Sequence, residues 1–531
     1  MPPGSMPTAS TSTLLPPGVS GAAFAAALDA LRKALGTQAV LNAPDALAPY
    51  LDPFAPGDPT RFSPSAVVLP ASVDDIRAVL NVANSARLPL WTVSTGRNFA
   101  YGGAAPRING SVVLDLKRMN RVLEVNDTLG YALVEPGVSY FDLYEALRAR
   151  GSRLWLDPPA AGWGSVVGNT LERGFGTTPY GDHAAQQCGM EVVLANGDVV
   201  RTGMGAMTNG TSWQAFKPGY GPSYDTLFMQ SNFGVVTKLG IWLMPRPAGY
   251  RFGHFKFRRD TDLRAIVDTL RPLKLDDTIQ SQGVIEHALR WAAGVSPRRR
   301  WYDGTGPMPE AAIDAMTHTL DIGRWNLRFG LYGPEALVEA RLQVIRQAFS
   351  AIPDARLDAT PYRSSDAEPE GGGDRSQIGI PSMAAFQMLN WRGGNGAHID
   401  FSPVCPTTGA DATTQYELIR ATAQASGFDY YGGFTVAGRH MHHIFAAIFD
   451  KDDTAQSHAA HDLIESLIVK TGQAGYGQYR THLAFMDLAA SQYDFNGHAL
   501  MRLSDTIKAA LDPQGILSPG KQGILPRRYR S

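Results

Sequence analysis

The sequence predicts an α+β protein of two domains, on three observations. Residues 64–98 read as a strand, an amphipathic helix and a second strand in succession. Farther along, Asn196-Gly197 lies between two alternating runs, which is the strongest short hairpin signal, and a long apolar run ends near Pro245. Beyond Pro247, helical and strand segments alternate in a different order. We therefore expect a domain boundary near residue 247.

In the first domain, the helix of the βαβ unit is expected to begin at Ser72, with Asp74 and Asp75 in its first turn. The second strand runs into "STGRNFAYGGAAPR", where glycines and small residues allow backbone N–H groups to approach an anion closely. This loop is a candidate phosphate cradle. The segment "NFGVVTKLGIWLMP" is expected to form a long strand.

In the second domain, "DLRAIVDTLRPL" and "PEALVEARLQVIRQAFSAI" are expected to be helices, whereas "GAHIDFSPV" and "GRHMHHIFAAIFD" are expected to be strands. A loop is expected around "EPEGGGDRS". The final segment ends a helix at Asp512-Pro513 and finishes in turn residues, which is consistent with a return to the first domain. The Pro, Ser and Thr composition of the N-terminus indicates a flexible arm. The expected division is an arm over 1–40, a first domain over 41–247, a second over 248–475, and a returning segment over 476–531.

Composition excludes several classes of function. The 531 residues carry a formal net charge of −1 with a pI near 6.9, so no global field attracts nucleic acid. Two cysteines, Cys188 and Cys405, cannot build a disulfide framework. The N-terminus lacks the basic start and apolar run of a secretory signal, and no window is long enough to span a bilayer. We expect a cytoplasmic protein with no membrane or nucleic-acid partner.

Common cofactor motifs are also absent. The sequence holds no G-x-G-x-x-G after a strand, no G-x-x-x-x-G-K-[ST] and no H-E-x-x-H. What remains is a set of separated glycine-rich loops: "STGRNFAYGG", "GWGSVVGNT", "RGFGTTPYGDH" and "SPGKQG". Taken singly, each loop is better explained as tight turns, whereas together they could follow a long ligand.

These loops, in order and with "CGMEVVLANGDVVRTGMGAM", "NGAHIDFSPV", "MHHI" and "YRTHLAFMD", closely resemble the vanillyl-alcohol oxidase and para-cresol methylhydroxylase flavoproteins, including the eugenol oxidases. The resemblance covers nearly the whole chain beyond residue 40. It implies a two-domain FAD-binding fold of the para-cresol methylhydroxylase type, in which an α+β cap domain covers the flavin and forms most of the substrate pocket.

The resemblance assigns the loop from Ser94 to Tyr101 to the FAD pyrophosphate. The expected cofactor-binding residues are Ser94, Thr95, Gly96, Arg97, Asn98, Gly164, Ser165, Gly168, Asn169, Gly181, Asp182 and Lys521.

His398 has two interpretations. A histidine on an apolar strand is ordinarily a packed or hydrogen-bonded residue, since neutral imidazole needs only one donor and one acceptor satisfied. The resemblance places it instead at the histidine that attacks the C8 methyl of the flavin, which implies that FAD is covalently linked through His398.

The resemblance also identifies Tyr101, Tyr479 and Arg480 as a trio that binds a para-substituted phenol as its phenolate, since a guanidinium and two hydroxyls are the donors such an oxyanion needs. Read singly, Tyr101 is a packing residue and Tyr479-Arg480 a surface pair. The implied reaction removes a hydride from the benzylic carbon to the flavin and leaves a para-quinone methide, which is hydrated or rearranged to hydroxylated, carbonyl or alkenyl products.

The chain departs from the family pattern where an aspartate is expected beside the flavin, because Ala160 stands there. Asp157 lies three residues earlier and is not an obvious substitute. Asp400 shares a strand face with His398, since side chains alternate along a strand, and we hypothesise that it replaces the missing carboxylate. The alternative is a solvated aspartate at a strand edge.

Other departures concern the pocket and the flavin attachment. Phe386, His440, Thr177 and Gly433 stand where relatives carry other residues, and several of these changes suggest a bulkier substrate. No histidine precedes His183 to act as an N-terminal helper of flavin attachment. His440, His442 and His443 do not indicate a metal, because on a strand only His440 and His442 share a face, and "MHHI" resembles a family element that holds no metal.

The sequence thus predicts an FAD-dependent oxidase or dehydrogenase of 4-alkylphenols, guaiacyl or lignin-derived phenols. The alternatives are a cytochrome-coupled dehydrogenase of a bulkier phenol such as a lignan, and a flavin-binding protein that has lost catalysis. The family implies O₂ or a cytochrome c as electron acceptor and a homodimer or higher homo-oligomer.

Overall fold

The computed structural model describes residues 14–58, 60–367 and 375–530. Its α-helices are α1 (Gly21–Leu35), α2 (Pro44–Leu47), α3 (Val73–Ala86), α4 (Tyr140–Ala149), α5 (Val166–Leu171), α6 (His183–Gln186), α7 (Leu263–Leu275), α8 (Ala288–Ala293), α9 (Glu310–Leu320), α10 (Glu335–Phe349), α11 (Gly409–Ala425), α12 (Thr454–Gln473), α13 (Met486–Ser491) and α14 (Phe495–Leu511).

The strands of the first part of the chain are β1 (Val40–Leu41), β2 (Ala66–Val68), β3 (Leu90–Val93), β4 (Val112–Asp115), β5 (Val122–Asn126), β6 (Tyr131–Val134), β7 (Leu154–Trp155), β8 (Gln187–Val193), β9 (Val199–Arg201), β10 (Val235–Trp242) and β11 (Met244–Pro245). Those of the second part are β12 (Gly249–Phe257), β13 (Gly283–His287), β14 (Trp325–Tyr332), β15 (Arg356–Ala359), β16 (Arg363–Ser364), β17 (Gly396–Pro406), β18 (Gly432–Val436), β19 (His440–Asp450) and β20 (Gln478–Arg480).

The first part of the chain forms two sheets. Strands β2, β4 and β3 are parallel, and the βαβ unit that the sequence predicts joins β2 to β3 through α3. Helix α3 begins as expected, because the Ser72 side chain accepts a hydrogen bond from the Asp75 N–H at 3.1 Å. The second sheet has the order β5-β6-β10-β8-β9, and its β8–β9 hairpin turns at Asn196-Gly197, which confirms that prediction.

The N-terminal arm expected over residues 1–40 is not observed over its second half. Residues 1–13 lie outside the described part, but α1 packs Phe24, Leu28 and Leu31 into the core of the first sheet. Ser20 caps this helix by accepting from the Ala23 N–H at 3.3 Å. The run "GAAFAAALDALRKAL" has apolar residues at helical spacing, so residues 21–35 fold onto the domain.

The second part of the chain begins at β12 and forms one large sheet with the order β15-β12-β14-β13-β18-β19-β17-β20, with β16 paired to β12. Helices α7, α10, α11 and α12 bury one face of it in an apolar core. The opposite face of β17 and β19 is left free to line a cavity. The predicted loop at "EPEGGGDRS" lies largely outside the described residues.

The C-terminal segment returns to the first part of the chain. Leu90 N–H donates to the Ile516 carbonyl at 2.7 Å, and Ile516 and Leu517 are buried in the core of the first sheet. Strand β20 pairs instead with β17, so the chain crosses from the large sheet to the first part after Arg480. Within the described residues, no helix has the length and hydropathy needed to cross a membrane.

Candidate active site

A cavity of about 380 Å³ lies between the first part of the chain and the large sheet. Most of the residues expected to bind a cofactor line it: Ser94, Thr95, Gly96, Arg97, Asn98, Gly164, Ser165, Gly168, Asn169, His398 and Lys521. The four residues expected to act on a substrate, Tyr101, Asp400, Tyr479 and Arg480, line the same cavity. The structure therefore brings together sites from five separate stretches of sequence.

One wall of the cavity is built from glycine-rich backbone. The loop 94–98 follows β3, and Gly96 has a φ of 67°, with Ala104 Cβ only 2.7 Å from where its own Cβ would lie. A Cβ at Gly164 would meet only the Ala161 carbonyl oxygen, at 3.6 Å, so glycine there leaves the wall open toward the cavity. Such a wall lets a ligand approach the main chain directly.

The opposite wall is a face of the large sheet. His398 and Asp400 on β17 lie on one side of the strand, as the alternation predicts, and Asp400 is paired in register with Ala446 of β19. At the end of this row Ser402 of β17 is paired with Arg480 of β20. The strands thus set His398, Asp400 and Arg480 in sequence along the cavity.

His398 is buried, and neither of its ring nitrogens has a hydrogen-bond partner among the described residues. Its Nδ1 lies 3.5 Å from Asp400 Oδ1, and the ring packs 5.3 Å from that of Phe54. Burial lowers the pKa of His398, Asp400 opposes that shift and Arg290 adds to it. The imidazole is accordingly neutral and carries a free lone pair into the cavity. Phe54, which belongs to the N-terminal region of the chain, is therefore an aromatic neighbour of the imidazole.

Tyr101, Tyr479 and Arg480, the trio that the sequence predicts to bind a phenol, come together at the β20 end of the cavity. The Arg480 guanidinium carbon lies 3.7 Å from the centre of the Tyr101 ring, and Arg480 Nε is buried without a hydrogen-bond partner in the described part of the chain. Gln230 fixes the adjoining backbone by donating from Nε2 to the Tyr479 carbonyl at 2.6 Å. Burial raises the pKa of Tyr101 well above its usual value and also raises that of Tyr479, so both hydroxyls remain donors.

Arg480 remains cationic in this enclosure. Burial alone would lower its pKa, but the neighbouring carboxylates of Glu172 and Asp400 oppose burial and raise it. Burial likewise acts to raise the pKa of Glu172, yet Lys521 and Arg480 hold it below the usual value. Lys521 Nζ forms an ion pair with Glu172 Oε1. The cavity therefore holds a cationic end suited to an oxyanion.

Two residues expected at the cofactor do not line the cavity. Asp182 is exposed and caps α6 by accepting from the Ala185 N–H at 3.0 Å, and the Gly181 carbonyl accepts from the Gly176 N–H at 3.0 Å. These local bonds close the "YGD" turn on itself, away from the cavity. Asp157 is also held elsewhere, because its Oδ1 lies 2.9 Å from His183 Nε2.

The substituted pocket positions are likewise separated by the structure. Ala160 and Phe386 line the cavity, but Thr177, His440 and Gly433 do not. The Thr177 hydroxyl lies 2.9 Å from that of Ser376, and a Cβ at Gly433 would lie 3.1 Å from the Glu286 Cα and closer still to β13 backbone. The argument that these three positions enlarge the pocket is therefore not supported.

The sequence analysis missed Arg290, Glu172 and Tyr431, all of which line the cavity. Arg290 lies four residues after Glu286, and Arg290 Nε donates to Glu286 Oε1 at 3.0 Å. That spacing is a usable sequence signal for an ion pair, although it does not show that the pair faces a cavity. Glu172 and Tyr431 carry no comparable signal.

The cavity fits FAD on structural grounds. It offers open glycine backbone for a diphosphate, four cationic side chains in Arg97, Arg290, Arg480 and Lys521, and a neutral imidazole with two unpartnered nitrogens. Ser165 and Gly168 place the start of α5 at the same wall, with the Ser165 hydroxyl accepting from the Gly168 N–H at 3.0 Å.

Comparisons with known proteins agree with this geometry. Residues 64–203 match the model of an FAD binding domain, and residues 325–522 match that of the C-terminal domain of FAD linked oxidases. The chain is 37% identical over 96% of its length to the 4-cresol dehydrogenase [hydroxylating] flavoprotein subunit of Pseudomonas putida, of which it covers 98%.

Two solved structures extend the comparison. A 4-ethylphenol oxidase from Gulosibacter chungangensis, determined as an isoeugenol complex, is 39% identical with a TM-score of 0.92, over 97% of this chain and all of that one. A p-cresol methylhydroxylase with substrate bound is 35% identical with a TM-score of 0.93, over 98% of this chain and all of that one.

Proposed function

The chain belongs to the vanillyl-alcohol oxidase and para-cresol methylhydroxylase flavoproteins, and it oxidises para-substituted phenols at the benzylic carbon; we propose that Arg480, Tyr101 and Tyr479 bind the phenol as its phenolate. The observation that carries the proposal is the buried, unpartnered Arg480 Nε beside two protonated tyrosines in the cavity that holds His398.

The cationic end of the cavity prepares the substrate for oxidation. A guanidinium at the phenol oxygen favours ionisation, and a phenolate pushes electron density to the para carbon and so weakens the benzylic C–H bond toward hydride loss. Tyr101 and Tyr479 donate to the same oxygen because burial keeps them protonated. Glu172, which is paired with Lys521, raises the pKa of Arg480 and so helps to keep its positive charge.

FAD, when bound, accepts the hydride. The residues that would hold it are the loop 94–98, Gly164, Ser165, Gly168, Asn169 and Lys521. We propose that His398 is its covalent attachment point, which is supported by the two free ring nitrogens and by the lowered pKa that keeps the ring nucleophilic.

Asp400 is proposed to assist the water that adds to the para-quinone methide left on the substrate. It lines the cavity between His398 and the row that ends at Arg480, and its side chain retains partial exposure to the cavity. Ala160 offers no carboxylate at the other wall and Glu172 is paired with Lys521, so Asp400 is the lining carboxylate left to accept a proton from that water. Asp400→Asn with unchanged turnover and an unchanged product would refute this role.

The proposal has two versions, which differ in the electron acceptor. One relative is named an oxidase and another a dehydrogenase subunit, so either O₂ or a cytochrome c reoxidises the cofactor. Hydrogen peroxide formed in stoichiometric amounts with product identifies the oxidase, and dependence on added cytochrome or dye without peroxide identifies the dehydrogenase. Assembly into a homodimer or larger oligomer is part of the proposal and is checked by light scattering.

Anaerobic flavin reduction tests the substrate class. Phenols with para side chains of increasing size are mixed with the holoenzyme, and the meta isomers serve as matched controls. Bleaching by para but not meta isomers is expected, since only the para carbon is conjugated to the phenolate oxygen. Equal bleaching by both isomers, or by neither, would contradict the proposal, and the second result would favour a protein that binds flavin without catalysis.

A further inference from the structure

Arg290 is a charged side chain in the cavity that no step of the proposed reaction uses. It lies on α8, immediately after β13, and 24% of its side chain is exposed, toward a cavity that it lines. Its Nε donates to Glu286 Oε1 at 3.0 Å. No other hydrogen bond joins it to the described residues, so four of the five guanidinium N–H donors are available to a ligand.

The carboxylate that pairs with Arg290 also pairs with a second guanidinium. Glu286 also accepts from Arg328, whose Nε lies 2.9 Å from Glu286 Oε2, so one carboxylate is shared between two guanidiniums. Asp400, on β17, contacts His398 Nδ1 at 3.5 Å and forms no ion pair with Arg290 within the described ranges. Tyr431 covers another side, with its ring centre 5.4 Å from the Arg290 guanidinium carbon.

Strand pairing places this corner across the cavity from the phenolate site. Glu286 of β13 is opposite Gly433 of β18, which is opposite Ile444 of β19, and β17 then separates β19 from Arg480 on β20. Four strand-to-strand steps of roughly 4.8 Å separate Glu286 from Arg480 by about 19 Å between Cα atoms. Arg290, which is held by Glu286 at one end of this row of strands, lines the same cavity as Arg480 at the other end.

We propose that Arg290 binds a carboxylate on the para side chain of the substrate, so that the preferred substrates are para-hydroxyphenyl compounds with an anionic side chain. The inference rests on the proposed function, because it takes the phenol to be held at Arg480. A guanidinium with free, fork-arranged donors matches a carboxylate in two parallel hydrogen bonds. A purely structural role does not require Arg290 to face the cavity, since Arg328 already pairs with Glu286.

The test measures binding to the holoenzyme of two ligands that lack an oxidisable benzylic C–H, 4-hydroxycinnamate and its methyl ester. Calorimetry gives the dissociation constant of each ligand for the wild type, Arg290→Met, Arg290→Lys and Arg328→Met. The last variant is the matched control, because it removes a charge and a Glu286 partner outside the cavity lining. Flavin absorbance establishes that each variant is folded and loaded.

The wild type is expected to bind the carboxylate at least about tenfold more tightly than the ester, which corresponds to one net charge-assisted hydrogen bond. Arg290→Met should abolish that preference, Arg290→Lys should retain part of it, and Arg328→Met should retain all of it. No preference in the wild type, or equal weakening of both ligands by Arg290→Met, would overturn the inference.

Oxidation of 4-ethylphenol by the wild type is followed in parallel. If the holoenzyme oxidises neither this neutral phenol nor the anionic 3-(4-hydroxyphenyl)propionate although the carboxylate preference depends on Arg290, the proposed function fails and the binding role of Arg290 stands. If 4-ethylphenol is oxidised without any preference for the carboxylate, the proposed function stands and the inference fails.

Discussion

Replacing Arg480 by methionine removes the cation that the account places at the phenol oxygen. Truncating one member of a buried charge pair costs about 2–5 kcal/mol. At 1.36 kcal/mol per unit, that loss raises the pKa of the bound phenol by about 1.5 to 3.7 units. If the whole 2–5 kcal/mol is lost from transition-state stabilisation, kcat/KM at pH 7 falls by a factor between about 30 and about 5,000. Glu172 keeps its partner Lys521, so the cavity wall is not left with an unpaired carboxylate.

The assay is the pH dependence of flavin reduction by a 4-alkylphenol in anaerobic rapid mixing. Wild-type reduction should be nearly constant across neutral pH, whereas Arg480→Met should rise with pH until the free phenol ionises, near the tyrosine pKa of about 10. Arg480→Lys retains a charge without the planar fork and should fall between the two. Parallel pH profiles for all three proteins would refute phenolate stabilisation by Arg480.

Three further predictions concern the rest of the site and the core. His398→Ala should still bind FAD, because the glycine-rich wall remains, but acid-denatured protein should release all of its yellow colour, whereas the wild-type polypeptide keeps it; colour retained by the variant would exclude His398 as the link. Asp400→Asn should slow formation of the hydroxylated product and raise the alkenyl share measured by chromatography, because no carboxylate then accepts a proton from the attacking water. His443 is buried between the Tyr430 hydroxyl at 2.6 Å and Gln415 Oε1 at 3.2 Å, and burial lowers its pKa to about 3. In the unfolded chain this ring takes up a proton below its pKa of about 6.5, whereas the folded protein keeps it neutral, so the free energy of unfolding should fall by about 3 kcal/mol between pH 7 and pH 4.5. Urea titration at the two pH values should show this fall in the wild type but not in His443→Gln.

Local signals predicted much of the fold. Ser72 and the acidic first turn located α3, and Asn196-Gly197 located the β8–β9 hairpin, because caps and tight turns are decided by a few neighbouring residues. The order β13-β18-β19-β17-β20 had no such signal, since it depends on pairings between distant segments. The prediction of a flexible arm was wrong over α1, because the segment rich in Pro, Ser and Thr ends at Ser20, which caps the helix.

The site was predictable where a strand period or a family motif fixed the position of a side chain. Asp400 faces the cavity with His398 because alternate residues share a face of β17. Cofactor binding by Gly181 and Asp182 stays a prediction; neither lines the cavity, because resemblance of a loop does not fix its path and Asp182 accepts a hydrogen bond from the Ala185 N–H of α6. Arg290 was missed because its importance depends on the distance across four strands to Arg480, which no local pattern contains.

The most direct test of the central claim compares a 4-alkylphenol with its O-methyl ether as anaerobic reductants of the holoenzyme. The ether has the same ring and the same benzylic C–H bonds, but its oxygen cannot ionise at Arg480. The account predicts that the phenol bleaches the flavin and that the ether leaves it oxidised. Reduction by the ether at a rate comparable to that of the phenol would contradict the account.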